Sequence, residues 1–170
     1  MGSSRPIDDS ESLGKREDWI VGVISDTHGL LRPEAVAALR GSDYIIHAGD
    51  VGDPDILKDL ASIAPVTAVR GNVDHGAWAR ELPESNVLQV GSMAIYVLHD
   101  VSRLDLDPAA ARFSAVVFGH SHRPSQEYRN GVLFFNPGAA GPRRFSLPVK
   151  VGRLRISSSQ LSAEIITLMP

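Results

Sequence analysis

Apolar residues fall in short unbroken runs, each closing on glycine or a polar side chain. The runs are WIVGVIS (19–25) before Asp26, YIIHAG (44–49) before Asp50, PVTAVRG (65–71) before Asn72, MAIYVL (93–98) before His99 and AVVFG (115–119) before His120. Continuous runs of this length, rich in Val and Ile, predict strands buried on both faces. Helix openings with proline in the first turn lie between them, at Arg32-Pro33-Glu34, Asp53-Pro54-Asp55 and Asp107-Pro108, the two aspartates standing as N-caps. Strand, helix, strand in succession predicts βαβ units. The last third changes character. Asn130-Gly131 is a two-residue hairpin turn between strand-like arms, and SSSQ separates VKVGRLRI (149–156) from LSAEIITL (161–168) as a second hairpin. The chain therefore opens as α/β and finishes antiparallel.

Composition narrows the class. A chain of 170 residues, 43% of them hydrophobic, carries enough apolar surface for one core, and residues 19–170 are predicted to be a single domain. Residues 1–18 are polar and aperiodic, which predicts a disordered leader. No stretch approaches the roughly 18 apolar residues of a membrane span, and the N-terminus lacks an apolar signal core, so a cytoplasmic protein without a membrane partner is expected. With 17 Lys and Arg against 20 Asp and Glu, there is no basic excess for extended nucleic-acid binding. A small anionic substrate is compatible with that balance, and self-association is left open. There is no cysteine, so any transition metal must be held by His, Asp, Asn or Glu.

Those donor types gather at the predicted strand ends. Asp26 with His28, then Asp50, Asn72, His99, and His120 with His122 each follow the carboxyl end of a run by a few residues, where open α/β sheets collect their ligands. An isolated Asp-x-His or Gly-Asp after a strand is usually a cap or a turn. Seven donors in succession at every strand end point instead to a shared metal or phosphate site, with His120 and His122 at i and i+2 facing one side.

At these residues the sequence resembles the calcineurin-like metallophosphoesterase superfamily. The motifs stand as SDTHG (25–29), HAGDVGD (47–53), RGNVD (70–74), VLHD (97–100) and FGHSHRP (118–124), followed by NPGA (136–139). The likeness is strongest to its small bacterial and archaeal phosphodiesterases of the YfcE and MJ0936 type. The resemblance implies a four-layer α/β/β/α sandwich, two mixed β-sheets flanked by helices. It also implies two divalent ions, Mn or else Ni, Fe or Zn, one on Asp26, His28 and His122 and the other on Asn72, His99 and His120, with Asp50 bridging. Asp50, Asn72 and His99 are then the catalytic candidates. The implied reaction is attack on phosphorus by a hydroxide held between the metals, on a small phosphodiester.

The sequence departs from the larger members of the superfamily at Val73, where they carry a histidine that aids protonation of the leaving group. Valine donates no proton, which favours diesters with stable leaving groups; His75 is a candidate substitute. Asp100 is a candidate acceptor for a histidine N–H, His47 reads as core or as a support behind the donors, and Arg143-Arg144 is a candidate phosphate contact. Trp78 and Phe134-Phe135 read as packing. The same fold serves Vps29-like interaction scaffolds, and the alternative expectation is such a scaffold with little turnover. Occupancy of all seven donor positions separates the two and favours the enzyme.

Overall fold

The computed structural model describes residues 16–170; the expected leader up to residue 15 lies outside the described residues. Two five-stranded mixed sheets stack face to face. The first has the order β10-β9-β1-β2-β3, built from β1 (Asp18–Ile24), β2 (Tyr44–His47), β3 (Val66–Ala68), β9 (Val149–Ser157) and β10 (Gln160–Met169). Here β1, β2 and β3 run parallel, and the C-terminal hairpin β9-β10 adds antiparallel against β1. The second sheet has the order β4-β5-β6-β8-β7, from β4 (Ser85–Val90), β5 (Met93–Leu98), β6 (Ala115–Val117), β7 (Ser125–Arg129) and β8 (Val132–Asn136). In it β5, β6 and β8 are parallel, while β4 and β7 close the edges antiparallel.

Successive residues of the continuous runs serve opposite faces. Val21, Val23 and Ile46 enter the core between the sheets, opposite Ile95, Val97, Val117, Leu133 and Phe135. Their neighbours Ile24 and Ile45 turn outward under the helices α1 (Pro33–Leu39) and α2 (Pro54–Ala61), which bury Ala35, Leu39, Ile56 and Leu60 on that face. Asp53 caps α2 as expected, its carboxylate accepting from Asp55 N at 2.9 Å. A third helix, α3 (Ala77–Arg80), lays Trp78 at the edge of the same cluster.

The outer layer of the second sheet is not a helix. Asp107 does accept from Ala109 N and Ala110 N, at 3.0 and 3.2 Å, as a cap would. The segment then stops at Arg112, whose φ is +62°, and Phe113 turns back onto Tyr96 with ring centroids 5.1 Å apart. A single turn and a 3-10 segment at Val101–Arg103 therefore cover Tyr96, Leu98, Val116 and Phe118. β4 is too polar to stand out from the apolar pattern, and β1 opens at Asp18 rather than Trp19. Glu17 O accepts from Ser158 N at 2.8 Å, and Arg16 pairs with Asp43 at 2.6 Å. Residues 16–18 thus belong to the first sheet, at the N-terminal end of its central strand β1. No helix among the described residues is long and apolar enough to cross a membrane.

Candidate metal centre

The carboxyl ends of β1, β2, β3, β5 and β6 point to one end of the sandwich, and the loops that leave them are tied together by main-chain bonds. His28 N donates to Asp50 O at 2.9 Å, Asp26 N to Gly49 O at 3.0 Å, and Gly119 N to His99 O at 2.9 Å. Such close approach needs glycine. A side chain at Gly71 would collide with Asp50, and one at Gly119 with Ser25 and Asp26. The donors themselves sit in unusual backbone: φ is +54° at Asp26, +45° at His28, +55° at Asp50, +71° at His120 and +60° at His122. Left-handed conformations at bulky residues are uncommon and gather where function holds them.

All seven donors named from the sequence converge, in two groups. Asp26, His28 and His122 place their ligand atoms within 4.8 Å of one another, and so do Asp50, His99 and His120. Asn72 joins the second group, its Oδ1 lying 3.0 Å from His99 Nε2 and 3.1 Å from His120 Nδ1. Asp50 Oδ2 faces both groups, 3.2 Å from His99 Nε2 and 3.7 Å from His28 Nε2. Each group draws on both sheets, so the centre lies on the seam between them.

The donors fit a cation better than they fit one another. Asp26 is fully buried and its Oδ1 has no hydrogen-bond partner, although His122 Nε2 is 3.2 Å away and His28 Nε2 3.7 Å. An orphaned buried carboxylate oxygen is costly, and a bound ion is one of its ordinary explanations. His99 makes the same point. Its Nδ1 donates to Ala48 O at 2.7 Å, which turns the lone pair of neutral Nε2 toward Asn72 Oδ1 and Asp50 Oδ2, two further acceptors. Something positive belongs between them. Without metal a proton serves: burial depresses the His99 pKa, but the Asp50 hydrogen bond and the charges of Asp26 and Asp50 outweigh it and raise the pKa.

The carboxylates are held ionised. Burial pushes Asp26 upward, but the neighbouring imidazoles of His122 and His28 and the hydrogen bond from Ser25 override it and keep the carboxyl far below its ordinary range. Asp50 is lowered in the same manner against its own desolvation, by His99 and by the amide of Val73. N and O donors of this kind suit Mn, Fe, Ni or Zn.

Several supporting residues take other positions than the sequence suggests. Ala48 O, not Asp100, orients His99. Asp100 caps the 3-10 segment through Ser102, and its Oδ2 lies 3.9 Å from His120 Nε2. His47 is fully buried behind the donors. Its Nδ1 accepts from Gly49 N at 3.2 Å, so Nε2–H donates to Thr27 Oγ1 at 2.9 Å, which passes a bond to Val51 O at 2.8 Å. Asn136 donates to Gly119 O and Ser121 Oγ, bracing the loop that carries His120 and His122. His75, Arg143 and Arg144 are exposed, the last two just beyond Gly141, whose N–H reaches Asp26 O at 3.2 Å.

Asp74 is the residue that motif reading passed over. Only 5% exposed, its carboxylate accepts from Gly71 N and Gly52 N, each at 2.9 Å, and from Val51 N at 3.2 Å. It fastens the Asn72 loop to the Asp50 loop. The one signal for it in the sequence is an acid two positions after the asparagine of Gly-Asn.

Residues 20–159 match the model of the calcineurin-like phosphoesterase superfamily domain. A probable metallophosphoesterase of Methanothermobacter thermautotrophicus is 35% identical over 159 residues, covering 86% of this chain and 91% of that protein. The phosphodiesterase MJ0936 of Methanocaldococcus jannaschii is 25% identical over 137 residues, covering 69% and 82%. The structure of Vacuolar Protein Sorting 29 from Cryptosporidium parvum superposes with a TM-score of 0.74 at 19% identity, covering 89% of this chain and all of that one, a likeness of fold.

Proposed function

The chain belongs to the calcineurin-like phosphoesterase superfamily, an enzyme family of phosphoesterases, and we propose that it is a two-metal phosphodiesterase acting on a small diester. In this reading Asp26, His28 and His122 would hold one divalent ion and Asn72, His99 and His120 the other, with Asp50 serving both. Manganese is the proposed occupant. When bound, such a pair lowers the pKa of a water and offsets the charge that grows on phosphorus.

The rest is work for the protein. Asp26 and Asp50 stay ionised over the working range and so supply two fixed negative charges. Ala48 O fixes the His99 tautomer that leaves Nε2 free to ligate. Val73, 39% exposed beside Asn72, brings no proton to a departing alkoxide. That restricts the favoured substrates to diesters whose leaving group departs as a stable anion.

One observation carries the proposal: the orphaned Asp26 Oδ1, buried and facing two imidazoles. A bound ion gives this oxygen and the converging acceptors around His99 their partner, and turnover separates the enzyme from a scaffold that merely holds metal. The test is hydrolysis of bis(p-nitrophenyl) phosphate before and after chelation, with metal content measured alongside. Activity should vanish on metal removal and return with manganese as two ions bind per chain. Undiminished activity in stripped protein, or saturation at one ion, would overturn the reading.

A further inference from the structure

A cavity of about 450 Å3 opens from the Asn72, His99 and His120 side of the centre. That volume suits a small organic ligand, whose sites span about 300–1,000 Å3. Tyr96 and Leu98, 8% and 6% exposed, give it an apolar wall, and Ser85 at the start of β4, paired with Leu98 across the strands, extends that wall with a hydroxyl. The rim is charged, with acids in excess. Arg70 is engaged by Glu84 at 3.0 Å, and Arg103 shares its stretch of rim with Asp100 and Asp105. Two guanidinium groups thus meet three carboxylates, with the Asp74 carboxylate in the floor beneath them.

A pocket for a second phosphate carries a cationic surplus, because phosphate oxygens only accept. This one carries none. Its carboxylates accept from hydroxyl groups, and its guanidinium and hydroxyl groups donate to ring or carbonyl oxygens. We infer that the cavity is the subsite for one alcohol of the diester, and that it selects an uncharged, hydroxyl-bearing group of sugar or nucleoside size over one bearing a second phosphate. The inference rests on the phosphodiesterase reading, since only a phosphorus held at Asn72, His99 and His120 directs its alcohol into this space.

The experiment uses manganese-loaded protein and three p-nitrophenyl phosphodiesters that share a leaving group. The second alcohol is methanol in one, the 5′ hydroxyl of uridine in another, and the 5′ hydroxyl of uridine 3′-phosphate in the third. The uridine ester should have the higher kcat/KM by about tenfold over the methyl ester, carried by KM, and the 3′-phosphate should remove most of that gain. Ser85→Trp, which fills the cavity, should cut the advantage to roughly twofold. Glu84→Gln, which keeps the shape and removes one acceptor charge, should lower it severalfold. Equal kcat/KM for the methyl and uridine esters, or an advantage untouched by both substitutions, overturns the subsite while leaving the phosphodiesterase reading in place. A preference for the 3′-phosphorylated ester overturns it by showing a second anion to be recognised. Absence of metal-dependent turnover on all three sinks the phosphodiesterase reading and the subsite with it.

Discussion

The backbone N–H of Val73 donates to Asp50 Oδ1 at 3.0 Å, so the loop that carries Asn72 decides which oxygen of Asp50 faces the histidines. Oδ2 is the one left for both groups. In Asp50→Asn the amide oxygen can keep the Val73 bond, while its NH2 replaces the shared oxygen and has no lone pair to give. The variant should keep its metal-free melting temperature within a few degrees. It should bind fewer than two ions and lose at least about 100-fold in turnover, since disturbing even an outer partner of a ligand costs 10- to 100-fold. Elemental analysis and steady-state rates check this, and near-normal values in both would reduce Asp50 to a turn residue.

Asp74 gives a stability prediction. Asp74→Asn leaves one face of the side chain as a donor confronting backbone N–H groups, and a buried unsatisfied group costs about 1–3 kcal/mol. Urea unfolding of chelated protein should show a loss of about 2 kcal/mol, with metal affinity reduced by roughly 10-fold or more as the Asn72 and Asp50 loops part. A variant as stable as the parent, binding metal as tightly, would show that the three amide bonds of Asp74 do not position the centre.

Val73 sets a preference among leaving groups. A nitrophenolate departs without a proton, whereas the alkoxide of an alkyl monoester needs one. The protein should therefore favour the activated diester strongly. Val73→His should narrow the ratio, by about 10-fold against the roughly 100- to 10,000-fold of a well-placed general acid. Alkyl monoesters cleaved as fast as activated diesters by the unaltered protein would reveal another acid, with exposed His75 the first residue to replace.

His47 predicts a pH dependence. Burial, partly offset by the charges of Asp26 and Asp74, lowers its pKa to about 4 from the model-peptide value of 6.5. Its Nδ1 already accepts from Gly49 N, so protonation there would set two N–H groups against each other. Above pH 6.5 neither the folded nor the unfolded chain holds this proton, and the stabilisation is fully present. Between 6.5 and about 4 the unfolded chain binds it and the folded chain does not, so stability falls as pH falls, by up to about 3 kcal/mol from this group. Unfolding of chelated protein across that window should show a shallower decline in His47→Gln, and identical slopes would contradict the assignment.

Much of this was legible in the sequence because strands buried on both faces leave continuous apolar runs; β5 matches its run from Met93 to Leu98 end to end. Donors placed directly after such runs are legible for the same reason, since the sheet brings its strand ends together. β4 hid because an edge strand with one wet face, SNVLQV, shows only half an apolar pattern. The helix after Pro108 failed although its cap formed, because seven residues between Asp107 and Ala115 leave no room for a second turn once Phe113 packs inward. Asp74 was unreadable for a different reason. Two of its three partners, Val51 and Gly52, lie more than twenty positions away and offer only backbone, which every sequence has.

The left-handed backbone at Asp26, His28, Asp50, His120 and His122 leaves a trace that evolution can read. Each such residue costs the fold about 1–2 kcal/mol that glycine would largely avoid. At these five positions, then, mutation toward glycine is favoured by the backbone and opposed by what the side chain does there, as a donor and, at Asp26 and Asp50, as an acceptor that ties the loops together. Asn72 and His99, in ordinary backbone, feel no such pull. A lineage released from the need for metal would shed its donors toward glycine at the five, and drift without direction at the two. Aspartate and histidine at the five are thus held there by what their side chains do, against the preference of the backbone that houses them.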